Sequence, residues 1–102
     1  MWVLGPVTQI DASPKEVLKV TDGKKILVKL IHVYNGTSSD ITIYLTDSDG
    51  SERYSIPFVV AAGTNLVLGE SELGNGIEIP EDVYVSSSVT GTIYVQIGGE
   101  EC

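Results

Sequence analysis

The chain has 102 residues, 42% of them hydrophobic and 20% charged, a composition that fits one folded domain with a modest core rather than a disordered chain. Fourteen acidic residues outnumber six basic ones and give a formal net charge of −8. A surface of this sign repels phosphate backbones, so we expect no nucleic-acid partner.

Targeting and redox features are few. Cys102 is the only cysteine, which leaves no partner for an internal disulfide. The start of the chain, MWVLGPVTQI, lacks the basic and apolar stretches of a secretion signal. No stretch approaches the roughly 18 apolar residues of a membrane span. We therefore expect a protein that is made in the cytoplasm, is not secreted and has no membrane partner.

Residues 1–16 form the first segment. Gly5-Pro6 and Ser13-Pro14 oppose a long helix and favour extended or turn backbone, with a short strand at Val7–Ile10. We interpret the segment as an N-terminal extended arm that leads into a β domain at residues 17–102. Its apolar side chains are predicted to contact a neighbouring subunit or the surface of another protein; the alternative is an edge strand of the same domain. These side chains are Trp2, Val3, Leu4, Val7 and Ile10.

Short strands and turns follow one another from residue 17 onward. Asp22-Gly23 is typical of a hairpin turn, and the apolar run 26–34 indicates a central strand covered on both faces. Further strands are predicted at 41–46, 54–60, 66–68, 77–79, 83–86 and 93–97. The spacing predicts an all-β fold, an antiparallel two-sheet β-sandwich of jelly-roll-like topology with about eight or nine short strands.

Residues that carry chemistry are sparse. The stretch Asp47-Ser48-Asp49-Gly50 is either a calcium loop or a hairpin tip, and the strands on both sides favour the hairpin. His32 is the only histidine, with apolar neighbours and no second histidine or internal cysteine beside which to bind a metal. No motif presents a catalytic nucleophile. We expect no enzymatic activity, no metal and no cofactor.

Three tyrosines are predicted to point away from the core. Strand alternation that buries the isoleucine, valine and leucine positions turns Tyr44, Tyr84 and Tyr94 outward, among threonine, serine and glutamine. Tyrosine is favoured at protein interfaces, because its ring buries area while its hydroxyl stays hydrogen-bonded. Tyrosine is also a good strand former, so an interface role and a purely structural role both remain open.

Three stretches carry a resemblance to a known family. They are VTDGKKILVKLIHVYNGTSSDITIYLTDSDG, FVVAAGTNLVL and GIEIPEDVYVSSSVTGTIYVQIGGEE, which together cover about residues 17–101. A Gly-Lys pair precedes a long apolar strand that ends in Asn; an Ala-Gly turn precedes a Leu-rich strand; and a Tyr-Val-Ser strand precedes a closing strand that ends in Gly-Glu. This pattern resembles small bacteriophage virion-associated β-sandwich proteins, which are head-decoration or tail-accessory subunits.

The resemblance implies a non-enzymatic structural role in the virion after synthesis in the host cytoplasm. It implies a symmetric oligomer, commonly a homotrimer, that binds a major capsid or tail protein on the outside of the particle. The alternative is a small ligand- or carbohydrate-binding β-sandwich module. Exposed tyrosines at a subunit boundary would favour the first function, and the same residues lining a groove would favour the second.

Overall fold

The computed structural model describes all 102 residues and contains ten strands and one helical turn. The strands are β1 (Trp2–Leu4), β2 (Thr8–Gln9), β3 (Lys15–Leu18), β4 (Ile26–Asn35), β5 (Ile41–Thr46), β6 (Phe58–Val60), β7 (Asn65–Leu68), β8 (Ile77–Ile79), β9 (Val83–Ser87) and β10 (Ile93–Glu101), and α1 (Glu70–Leu73) lies between β7 and β8. All strand pairs are antiparallel. The predicted all-β, two-sheet antiparallel fold is confirmed.

The strand order identifies the topology. The six-stranded sheet has the order β1-β10-β4-β7, with β2 also paired to β10 and β8 to β4, and the four-stranded sheet has the order β3-β9-β5-β6. With β1 and β2 taken as one interrupted strand, and β7 and β8 as another, the pairing is nested. The first strand (β1 and β2) pairs with the last strand (β10), β3 pairs with β9, β4 pairs with β7 and β8, and β5 pairs with β6. This rolled-up hairpin is a jelly roll.

Two interruptions explain why ten strands are present instead of the expected eight or nine. Gly5 and Pro6 separate β1 from β2, because proline has no N–H to donate to a ladder. The Gly5 N–H still donates to the carbonyl of Ile97 at 2.8 Å, so the chain stays beside β10 through the break. The second interruption contains α1, after which Gly74 and Gly76 adopt positive φ angles of 61° and 101°.

The core lies between the two sheets and consists of eighteen buried aliphatic side chains. Alternating residues of β5, β9 and β10 supply eight of them, each at most 1% exposed, as the sequence alternation predicts. Each such side chain contributes about 1.5–3 kcal/mol relative to an exposed position. The eight are Ile41, Ile43, Leu45, Val83, Val85, Ile93, Val95 and Ile97.

Residues 1–16 do not form an arm that leaves the domain. β1 and β2 both pair with β10, and the Ile10 N–H donates to the Ile93 carbonyl at 3.0 Å. Ile10 is 1% exposed and belongs to the core. Without this segment β10 would be an edge strand with a row of unpaired backbone groups. The segment is therefore the first strand of the jelly roll, as in the alternative weighed above, and the sandwich begins before residue 17.

Two local expectations also change. The turn at Asp22-Gly23 joins β3 in one sheet to β4 in the other, so it is not a hairpin. The strand expected at 54–60 is limited to β6, since Pro57 interrupts the ladder and Ile56 is 87% exposed.

Asn35, at the end of β4, is fully buried and connects two loops. Its Nδ2 group donates to the carbonyls of Ser39, Val60 and Ala61 at 2.9, 3.0 and 3.2 Å. Its Oδ1 atom accepts from the backbone N–H and the hydroxyl of Thr37 at 2.9 and 2.7 Å. These bonds hold the turn after β4 against the turn after β6, so this polar residue fixes one end of the sandwich.

Candidate functional site

The Asp47–Gly50 loop has the geometry of a tight turn. The Gly50 N–H donates to the Asp47 carbonyl at 3.2 Å, and Gly50 has a φ of 77°. Ser51 donates from its backbone to Asp49 and from its hydroxyl to Asp47, at 2.9 and 3.1 Å. The hydrogen bonds from Ser51 lower the pKa of Asp49. Both carboxylates are thus engaged within the loop, which agrees with the hairpin interpretation.

No three His, Cys, Asp or Glu side chains come together in an arrangement that could hold a metal ion. His32 lies exposed on β4, and its ring makes no hydrogen bond to another part of the chain. The helical turn α1 has four residues, too few for a membrane-spanning helix.

Two of the three candidate tyrosines lie on the outer face of the four-stranded sheet. The guanidinium carbon of Arg53 lies 4.5 Å from the centre of the Tyr44 ring and covers it. Tyr84 donates from its hydroxyl to Glu16 at 3.4 Å, and its desolvation together with this carboxylate raises the pKa of Tyr84. Both rings are half-buried. The domain's own side chains therefore occupy much of this face.

The third tyrosine lies on the opposite sheet, beside an aromatic partner that the sequence analysis missed. Tyr94 on β10 is directly paired with Tyr34 on β4, and their ring centroids are 6.4 Å apart with planes 17° from parallel. The rings are 38% and 40% exposed. Gln9 on β2 and Asn65 on β7 extend this row on either side, so it crosses four strands.

A second row lies beside the tyrosines on the same outer face. His32 on β4 pairs with Gln96 on β10 and with Val67 on β7. The Gln96 side chain donates from Nε2 to the Gly5 carbonyl at 3.0 Å, which fixes its amide plane. Together the two rows border a shallow hollow of about 170 Å³. We call it the tyrosine cleft, and it is lined by Val7, His32, Tyr34, Asn65, Tyr94, Val95 and Gln96.

Alternation within β4 was the available signal for Tyr34. The run 26–34 was interpreted as covered on both faces because almost every residue in it is apolar. In its second half Ile31, Val33 and Asn35 are buried while His32 and Tyr34 are exposed. A strand whose residues alternate between buried and exposed has one face that is open to solvent.

The N-terminal edge of the same face carries exposed apolar side chains. Trp2 and Leu4 on β1 extend over Gly98 of β10, where a Cβ would lie 3.1 and 3.0 Å from their side-chain carbons. They are 48% and 54% exposed, and we call these two residues the edge patch. Two other candidate interface residues lie on the core side of this segment. Ile10 is buried in the core and cannot contact a partner, and Val3 is half-buried against the core.

The fold and these surfaces define a jelly-roll β-sandwich with one partly covered and one open outer face. No protein-family model matches the chain, and no curated protein matches its sequence significantly.

Proposed function

We propose that the chain is a non-enzymatic structural subunit of a virus particle, a capsid decoration or other virion accessory protein that assembles through its edge patch. The observation that carries the proposal is the exposure of Trp2 and Leu4, at 48% and 54%, on a strand at the edge of the six-stranded sheet. The virion setting, the homotrimer and the capsid or tail partner follow from the resemblance described above.

An edge strand with apolar side chains is suited to association. One side of β1 pairs with β10, and its other side has no neighbouring strand in the domain. Unpaired N–H and C=O groups at such an edge pair readily with another chain, while side chains on alternate positions fill the partner's pockets. Trp2 and Leu4 occupy alternate positions on the outer face and would be those side chains.

Charge supports association through a limited surface. The net charge of −8 makes copies of the chain repel one another over most of their surfaces. Trp2 and Leu4 carry no charge, so contact through these two side chains adds no like-charged pair of its own.

Sedimentation velocity of the purified chain tests the proposal. A homotrimer should sediment as a particle of about three times the 10.9 kDa monomer. Leu4→Glu should shift it to the monomer, because it places a charge in an apolar contact. Val59→Glu is the matched control, since Val59 is 61% exposed on β6 of the other sheet.

A wild-type chain that stays monomeric at high micromolar concentration would contradict self-association. Equal dissociation by Leu4→Glu and Val59→Glu would contradict the choice of surface. The virion setting has a separate test, because genes for capsid or tail proteins are expected beside the gene for this chain. Neighbouring genes for metabolic enzymes would argue against it.

A further inference from the structure

We propose that the tyrosine cleft is a binding site for a neutral saccharide, with one sugar ring seated on Tyr34 and Tyr94. The proposal is independent of the assembly role of the edge patch, which lies farther along β10, over Gly98. It rests on three properties of the cleft: an aromatic base, a rim of uncharged polar groups and a size suited to one ring.

The aromatic base is built into the two central strands. Tyr34 and Tyr94 face each other across β4 and β10 with rings 17° from parallel, and each ring is more than a third exposed. A carbon of the Tyr34 ring lies only 2.9 Å from the position of a Cβ on Gly36, so the ring leans along the strand where only glycine leaves room. The C–H face of a sugar ring is apolar and stacks on the ring faces that this stacked tyrosine pair leaves open, while the phenol hydroxyls remain free to hydrogen-bond.

The rim supplies both donors and acceptors. The side chains of His32, Tyr34, Asn65 and Tyr94 make no hydrogen bond within the chain, so they are available to a ligand. Gln96 has its Nε2 group held by the Gly5 carbonyl, and its Oε1 atom has no partner in the chain. A polyhydroxylated ligand matches this mixture, since each sugar hydroxyl both donates and accepts.

Charge narrows the ligand class. A fifth of the chain is charged, but none of the seven lining residues is Asp, Glu, Lys or Arg. An anionic glycan would find no cation in the cleft and would be repelled by the net charge of −8. A cationic ligand would find no carboxylate. A neutral saccharide satisfies the rim without leaving a charge unpaired.

Size and position also favour a saccharide over a peptide. The volume of about 170 Å³ is below the roughly 300–1,000 Å³ of sites for drug-sized ligands, so the cleft holds one ring at a time. A peptide that binds by strand addition needs a sheet edge, whereas Tyr34 and Tyr94 lie on the two inner strands β4 and β10. A longer glycan could extend in both directions along the open face.

The test is titration of the ¹⁵N-labelled full chain with neutral oligosaccharides, namely maltohexaose, cellohexaose, laminarihexaose, xylohexaose and chitohexaose, followed by NMR. We expect at least one to cause saturable shifts confined to amides of β4, β7 and β10 around the cleft. Tyr94→Ala and Tyr34→Ala should each weaken binding at least about tenfold, since a central aromatic contact dominates a small site. Tyr94→Phe keeps the aromatic ring and should bind within about twofold of the wild type.

Matched variants separate this site from the assembly surface. Tyr44→Ala removes a tyrosine from the other sheet and should leave saccharide binding unchanged, and Leu4→Glu should abolish assembly while keeping saccharide binding. The proposal is overturned if none of the five oligosaccharides binds at low-millimolar concentration. It is also overturned if binding survives both alanine variants in the cleft. Saturation by a polyproline peptide without a response to the saccharides would assign the cleft to a peptide instead.

Discussion

Asn35→Asp is expected to destabilise the sandwich strongly, although the two side chains have nearly the same shape. Asn35 is fully buried, and its Nδ2 group donates to three carbonyls, of which that of Val60 is itself buried. Aspartate puts an acceptor oxygen where these carbonyls need a donor. It also places a negative charge in a site with no cation.

The magnitude follows from the bonds that are lost. Two N–H donors disappear, at a net cost of about 1 kcal/mol each, and the Val60 carbonyl is left buried without its side-chain donor at about 1–3 kcal/mol more. The expected loss is about 3–5 kcal/mol, a large part of the roughly 5–15 kcal/mol that stabilises a domain. For a chain of this length such a loss lowers Tm by about 15 °C or more.

Thermal unfolding followed by circular dichroism measures the loss. Asn75→Asp is the control, because Asn75 is exposed, makes no side-chain hydrogen bond and gains the same charge. Burial raises the pKa of the introduced carboxyl at residue 35 above its ordinary value of about 3.9, so the native state holds its proton more tightly than the unfolded state. Stability relative to the control should therefore recover as the pH falls from 7, where the carboxyl is charged. Equal Tm values for the two variants at pH 7 would refute the reasoning.

Four further predictions follow from the fold. Deleting residues 2–12 should unfold the isolated domain at room temperature, because it removes the first strand of the jelly roll; a truncated chain that keeps its Tm in a thermal scan would show that β10 needs no partner there. Gly99→Ala should cost several kcal/mol in chemical denaturation, since its Cβ would collide with a main-chain carbonyl oxygen of β4, whereas Gly69→Ala should cost much less because a Cβ there meets nothing closer than 3.9 Å. Burial, helped by a hydrogen bond to Glu81, raises the pKa of Tyr54 to about 12. The native state thus holds the phenol proton more tightly than the unfolded state, so wild-type stability should fall as the pH rises from about 10 to 12, and Tyr54→Phe should flatten that fall. Thermal unfolding with EDTA and with added calcium should superimpose, and a calcium-dependent rise in Tm would return the loop at 47–50 to consideration as a metal site.

The parts of the fold that depend on local alternation could be predicted from the sequence. Ile41, Ile43 and Leu45 repeat every second residue, and this period decides which side of a strand is buried, whatever its partners are. The outward orientation of Tyr94 followed from the same period on β10. Local pattern thus located most strands and one half of the tyrosine cleft.

Pairing between distant segments could not be predicted in this way. Residues 1–16 contain glycine and proline at positions that oppose helix, but no pattern in these residues predicts that they pair with β10. Tyr34 was missed because a run of apolar neighbours hides which face of β4 is covered. Whether a face of β4 is buried depends on which distant segments of the chain pack against it, and this depends on tertiary structure.

The nested pairing of the strands sets the order in which the chain can close. Ile43 and Phe58, paired across β5 and β6, are about 15 residues apart, whereas Trp2 and Glu100, paired across β1 and β10, are about 98 apart. Loop-closure entropy grows with the logarithm of loop length, so the outermost pair costs about 1.7 kcal/mol more to close than the innermost when each closes alone. Strand pairs are expected to form in order from the β5–β6 hairpin to the outermost pair, over milliseconds to seconds, and β1 is expected to pair with β10 last.

Trp2 makes that last step observable. It is the only tryptophan, and its ring reaches its place over Gly98 only when β1 pairs with β10. The eighteen core side chains include no aromatic ring, so tryptophan fluorescence follows the first strand and not the core. In stopped-flow refolding, a fluorescence phase slower than the far-ultraviolet circular dichroism signal would place the docking of β1 after the rest of the sandwich has formed.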